Sequence, residues 1–162
     1  MSLAASLKMS SLIAFFENPI FLSSASSLFT AQITKAIIFL LSRRRRSLRE
    51  AIEIAIWRTG GMPSSHSAVV CALSTSVAFV EGIASNLFVF SCWFTLVVLR
   101  DALGVRRSAG LQARALNTLG KQSAEKLGLD FHPVKEIQGH TPLEVVVGGL
   151  LGIFIAAGFA LL

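Results

Sequence analysis

The chain has no tyrosine, only two cysteines and four prolines, and few charges: 15% of its 162 residues are Asp, Glu, Lys or Arg. A soluble domain of this size needs a polar shell, and so small a charged fraction does not supply one. Cys71 and Cys92 lie in separate apolar runs, form no Cys-x-x-Cys and have no metal-ligand spacing. They read as buried free thiols and say nothing about redox compartment. Also missing are a paired-aspartate phosphotransfer motif, a Cys-x5-Arg phosphatase loop and a P-loop. His132, in Asp130-Phe131-His132-Pro133, has no recognised ligand spacing with the other histidines. No metal and no cofactor are therefore expected.

What the chain has is apolar side chain: 53% of its residues are hydrophobic, twelve of them Phe. A membrane span needs ~20 mostly apolar residues. Four stretches qualify, at about Ile20–Leu41, Ser64–Ile83, Leu87–Leu103 and Leu143–Leu162. Pro63 and Pro142 stand where the second and fourth spans start, as proline does at a first helical turn. Gly148, Gly149 and Gly152 in the fourth span allow close helix packing. The segment from Arg106 to Lys126 is more polar. With Ala109, Ala113, Leu116, Leu119 and Leu127 at helix-like spacing, it is expected to be an amphipathic helix outside the spans, on the membrane surface. The fold class is thus all-α: a polytopic membrane helix bundle of about four transmembrane helices plus an amphipathic cytoplasmic helix. Residues 1–19, with Lys8 in an apolar run and no convincing cleavage site, read as an N-terminal interfacial segment before a membrane domain over 20–162.

The net charge of +6 is unevenly distributed. Residues 43–63 hold six Lys or Arg and residues 100–142 hold seven, which is thirteen of the fifteen in the chain. The link between the second and third spans is a short turn. Four spans put the two basic links on one side, and the positive-inside rule makes that side the cytoplasm. The charge then has a topological explanation, and nucleic acid is not an expected partner. Arg43 to Arg46 read as a topology anchor that attracts anionic lipid. Membrane lipids are the expected partners. A transport pathway would need a homo-oligomer, since four spans leave little room for one.

Two stretches carry candidate chemistry. In Thr59-Gly60-Gly61-Met62-Pro63-Ser64-Ser65-His66-Ser67, the glycines let backbone N–H groups approach an anion. The helix N-terminus adds free donors and a positive dipole end. In Gly139-His140-Thr141-Pro142-Leu143-Glu144, the spacing stacks Glu144 against His140 on a helix. Each stretch also reads as a capped turn with an idle histidine. The topology brings both histidines to one membrane depth, and Arg100-Asp101 with Arg106 and Arg107 shares that face. Two histidines, helix N-termini and cations suit a phosphate group. One imidazole attacks phosphorus, the other protonates the leaving oxygen, and the cations stabilise the transition state. Lys35 lies within the first span, near its cytoplasmic end. It either snorkels to the interface or faces a polar cavity.

These motifs, together with Asp101-Ala102-Leu103-Gly104-Val105-Arg106-Arg107-Ser108-Ala109-Gly110-Leu111-Gln112-Ala113 and Leu116-Asn117, resemble the divergent PAP2 family over roughly residues 20–162. That family is described as related to acid phosphatases and vanadium-dependent haloperoxidases. The resemblance implies a metal-independent, acid-phosphatase-like membrane hydrolase. It would act on a phosphorylated lipid or other phosphomonoester through a phosphohistidine. By that resemblance His140 is the nucleophile, His66 the general acid and Glu144 the orienting carboxylate. Lys35, Gly61, Ser64, Ser65, Arg106 and Arg107 are the phosphate-binding set. The chain departs from the broader superfamily at Ser65, where the second motif has glycine. It departs again at Val134, where the third motif would have arginine. The competing expectation is a non-catalytic membrane protein that binds anionic lipid head groups or a partner. A bacterial inner membrane, with the site facing the cytoplasm, is the expected location. The imidazoles of His66 and His140 are expected within roughly 10 Å of each other if they share one phosphate.

Overall fold

The computed structural model describes residues 3–41, 61–136 and 139–162. Arg43 to Arg46, Thr59 and Gly60 lie outside them. The described residues form α1 (Leu3–Phe16), α2 (Pro19–Leu41), α3 (Ser65–Glu81) and α4 (Asn86–Arg100). A π-helical turn follows (Asp101–Val105), then α5 (Arg106–Leu127) and α6 (Pro142–Leu161). No strand occurs among them. The chain is a polytopic helical membrane protein.

The helix starts follow from local chemistry. Ser64 caps α3 by accepting the N–H of Ser67, and Ser85 caps α4 by accepting that of Phe88. Thr141 and Glu144 form a capping box at α6, with Pro142 in its first turn. Among the described residues three helices are long and apolar enough to cross a membrane: Pro19–Leu41, Asn86–Leu127 and Pro142–Leu161. α3, with 17 residues, rises about 25 Å and sits at the short end of the spanning range. It is nevertheless the central helix, in contact with α2, α4 and α6.

The interior is built from small residues. α2 buries Ser23, Ser27, Ala31 and Lys35, each four residues after the last. α3 buries Ala68, Ala72 and Ser76 at the same spacing, and α6 buries Gly148, Gly152 and Ala156. Large apolar side chains point outward instead; Phe154 on α6 is 72% exposed, and Phe29, Phe90 and Trp93 face the same way. In water this would be an inverted protein. In hydrocarbon, burying a large apolar side chain gains little, and close backbone approach plus interhelical hydrogen bonds hold helices together. The Ser23 and Ser76 hydroxyls meet at 2.5 Å, and those of Ser74 and Thr95 at 2.9 Å. A Cβ on Gly148 would lie 2.3 Å from the Ser64 carbonyl oxygen, so α3 and α6 meet backbone to backbone.

The third span and the amphipathic segment do not separate as expected. They form one helix of 42 residues, Asn86–Leu127. The π-helical turn joins them: the Arg106 N–H donates to the Asp101 carbonyl, five residues back. The extra residue is absorbed without breaking the ladder, so α5 continues α4 rather than starting afresh on the membrane surface.

After Gly128 ends α5, the chain runs back along it. Phe131 lies against Gly120. Asn117 clamps the returning segment: its Nδ2 donates to the Val134 carbonyl (2.9 Å) and to Glu136 Oε1 (3.0 Å), and its Oδ1 accepts the Val134 N–H (2.9 Å). The Asn117 amide, then the Arg114 guanidinium, hold the Glu136 carboxyl below the usual carboxylate range. That contribution is present at neutral pH and is lost as pH falls through the lowered value. We expect Asn117→Ala to speed tryptic cleavage at Lys135 about tenfold, the equivalent of one or two net hydrogen bonds. Acidification should do the same to a smaller degree, as followed with an acid-tolerant protease. An unchanged cleavage rate in Asn117→Ala would mean that the clamp does not order this segment.

Candidate active site

Gly139 and the residues after it lie at one end of the bundle. There Gly139 lies on the Arg107 backbone; a Cβ would sit 2.3 Å from Arg107 Cα, so only glycine allows this approach. The next residue, His140, donates its backbone N–H to the Ala102 carbonyl in the π-helical turn (3.3 Å). The Ser64 N–H donates to the Glu144 carbonyl (2.9 Å). The starts of α3 and α6 and the end of α4 are thereby laced together, and each brings one motif.

The two imidazoles come together, with ring centroids 6.2 Å apart. They share a cavity of about 300 Å³ with Asp101 and Arg106 on its polar side and Val97, Val98 and Ala102 on its apolar side. His140 is 3% exposed, and its Nδ1 lies 3.0 Å from Glu144 Oε2. The same carboxylate oxygen accepts the Thr141 N–H (3.1 Å). An ionised carboxylate only accepts, so Nδ1 is the donor in this bond, and in the neutral ring the lone pair is then on Nε2. This is the tautomer a nucleophilic imidazole needs. His140 is enclosed because its backbone is held by the Ala102 carbonyl of the π-helical turn and its ring by Glu144 of α6.

Lys35 does not snorkel. It is 4% exposed and turned inward, with Nζ donating to Ser65 Oγ at 3.2 Å and attracting the Glu144 carboxylate. It stands behind the histidines and does not line the cavity. Ser64 is fully buried and its hydroxyl is taken up by the Ser67 N–H and O–H. Gly61 turns the chain at φ 82° and, like Arg107, is exposed and outside the cavity lining. Of the two adjacent arginines it is Arg106 that faces the histidines, its Nε donating to Asp101 Oδ2 at 2.6 Å. Sequence reasoning grouped Asp101 with the cations but gave it no place in the site. Its five-residue spacing from Arg106 is a pairing signal only in a π-helical register. His132 is exposed on the returning segment, and among the described residues no group of three His, Cys, Asp or Glu is arranged to hold a metal ion.

The fold and the cavity together define a small membrane protein with a paired-histidine, cation-bearing pocket at one end of a small-residue bundle. The chain belongs to the divergent PAP2 family, whose profile matches residues 16–155. It is 40% identical over 154 residues to the "uncharacterized membrane protein YuiD" of Bacillus subtilis (strain 168), covering 83% of this chain and 89% of that protein. No solved structure is significantly similar.

Proposed function

We propose that this protein is an integral membrane phosphatase that hydrolyses a phosphorylated lipid or related phosphomonoester through a histidine nucleophile. The observation that carries the reading is the His140–Glu144 pair at 3.0 Å, which fixes the nucleophilic tautomer beside His66 in one cavity. His140 Nε2 attacks phosphorus, and the P–O ester bond breaks as His66 gives its proton to the leaving oxygen. Water then attacks the phosphohistidine and gives its proton to His66, and the N–P bond breaks to release inorganic phosphate. Arg106 offsets the charge that builds on the phosphoryl oxygens. Lys35 acts through Ser65 and Glu144 rather than on the phosphate.

A lipid substrate is favoured by where the cavity opens. Val97 lines it and is also 64% exposed on the outer surface of α4, so a chain lying in the bilayer reaches the pocket sideways. Thirteen of the fifteen Lys and Arg lie in the two basic links, which by the positive-inside rule supports a cytoplasmic position for this end of the bundle. The Bacillus relative supports a bacterial inner membrane.

The test is a phosphate-release screen of the purified protein over phospholipid, prenyl-phosphate and soluble phosphoester substrates. Imidazole attacks without a metal, so turnover should survive EDTA, and vanadate should inhibit competitively as a mimic of five-coordinate phosphorus. Turnover that appears only with added divalent metal would rule the mechanism out. A second reading, non-catalytic binding of anionic head groups, is favoured by one observation: Ser65 and Val134 stand where the broader superfamily's motifs have glycine and arginine. Under that reading no substrate is turned over, while vesicles carrying anionic lipid still bind.

A further inference from the structure

Asp101 is out of place in a pocket for phosphate. A carboxylate in the cavity wall repels a phosphoryl dianion and cancels the charge of Arg106. Nor is stability its evident purpose, since half-exposed ion pairs contribute little; the Arg106 and Asp101 side chains are 41% and 39% exposed. In an α-helix, residues five apart point roughly 140° away from each other. The π-helical register brings them to one face, and that face lines the cavity. The pair uses the Arg106 Nε–H and Asp101 Oδ2. Among the described residues the terminal guanidinium N–H groups and the second carboxylate oxygen have no other partner, so the wall presents cationic donors beside an anionic acceptor.

We propose that Asp101 and Arg106 read the head group: Arg106 takes a phosphate oxygen, and Asp101 accepts a hydrogen bond from a hydroxyl close to the phosphate ester. The substrate class is then a lipid phosphomonoester whose alcohol carries a second hydroxyl, rather than a plain alkyl or prenyl phosphate. This rests on the reading of the cavity as a lipid-phosphate site. The carboxylate weakens attraction for every phosphate, and only a ligand that brings a donor recovers the loss. That asymmetry is how a site discriminates between two similar anions.

The experiment uses a matched pair, 1-acylglycerol 3-phosphate and its 2-deoxy analogue with the same acyl chain. Binding to the full-length protein in neutral-lipid nanodiscs and phosphate release are measured for each. The wild type should favour the hydroxylated lipid about tenfold or more, the scale of one hydrogen bond to a charged group. Asp101→Ala should bring the ratio close to one, chiefly by improving binding of the deoxy lipid. Asp101→Asn, which keeps an acceptor oxygen without the charge, should fall between. Equal binding of the two lipids by the wild type overturns the proposal, as does an unchanged ratio in the Asp101 variants. If Asp101→Ala does not fold, the wild-type ratio and Asp101→Asn still decide. A tenfold binding preference without any phosphate release would uphold head-group reading while refuting the phosphatase.

Discussion

Replacing His140 with asparagine should abolish phosphate release while the bundle remains folded. Asparagine is preferred to alanine because His140 is 3% exposed and its Nδ1 partners Glu144. Alanine would leave a hole and an uncompensated carboxylate in a buried place, and loss of activity would then be ambiguous. The asparagine Nδ2 donor takes roughly the position of imidazole Nδ1 and keeps the Glu144 bond. What disappears is Nε2, the atom that forms the bond to phosphorus. Removing a covalent nucleophile typically costs roughly 10⁴–10⁶-fold in turnover. His66 is a different case. His66→Ala should cost ~10²–10⁴-fold with an alkyl leaving group, and much less with an aryl phosphate that departs unaided. The check is a phosphate-release assay on detergent-solubilised variants whose size-exclusion and melting profiles match the wild type. Full turnover in a folded His140→Asn variant would end the nucleophile assignment.

Adding a single methyl group at Gly152 should unfold or severely loosen the protein. A Cβ there would lie 2.1 Å from the Ala68 carbonyl oxygen and 3.0 Å from the Ala72 backbone nitrogen. These are backbone atoms of the central helix, so no side chain can swing aside, and α6 must move bodily away from α3. Overpacking of this kind typically costs ~1–3 kcal/mol and sometimes more. Here it also pulls the Glu144 carbonyl from the Ser64 N–H, so activity should fall with stability. Gly158→Ala is the control, because nothing lies within 4 Å of a Cβ at that position. It should be neutral or stabilising by up to ~1 kcal/mol, the intrinsic helical advantage of alanine over glycine. Denaturant titration of the two variants in one detergent measures the difference. Equal stability of Gly152→Ala and Gly158→Ala would mean that the α3–α6 seam is not the core of the bundle.

Much of this architecture is legible along the chain because it depends on local properties. Apolar runs of spanning length, Pro142 at a helix start and Thr141 with Glu144 as a capping box need only their neighbours. So does the stacking of Glu144 on His140, since four residues make one helical turn. The glycines of the fourth span announce close packing for the same reason.

Which side chains meet across the bundle is another matter. Lys35 within a span reads equally well as snorkelling or turned inward, and its partner Ser65 lies thirty residues away. Only the packing of α2 against α3 decides between the two. Arg106 and Arg107 are adjacent and chemically identical, so no pattern of residues chooses between them. The π-helical register chooses, turning Arg106 to the histidines and leaving Arg107 under Gly139. The sequence by itself determined the membrane helices, their caps and the two histidine motifs, because short-range sterics, hydrogen bonding and hydropathy act within a few residues. The tertiary structure alone decided that His140 is enclosed, that Lys35 stands behind the pocket and that Asp101 lines it. Those outcomes depend on where the ends of three helices and a returning segment converge, and that convergence is a property of the packed bundle rather than of any one segment.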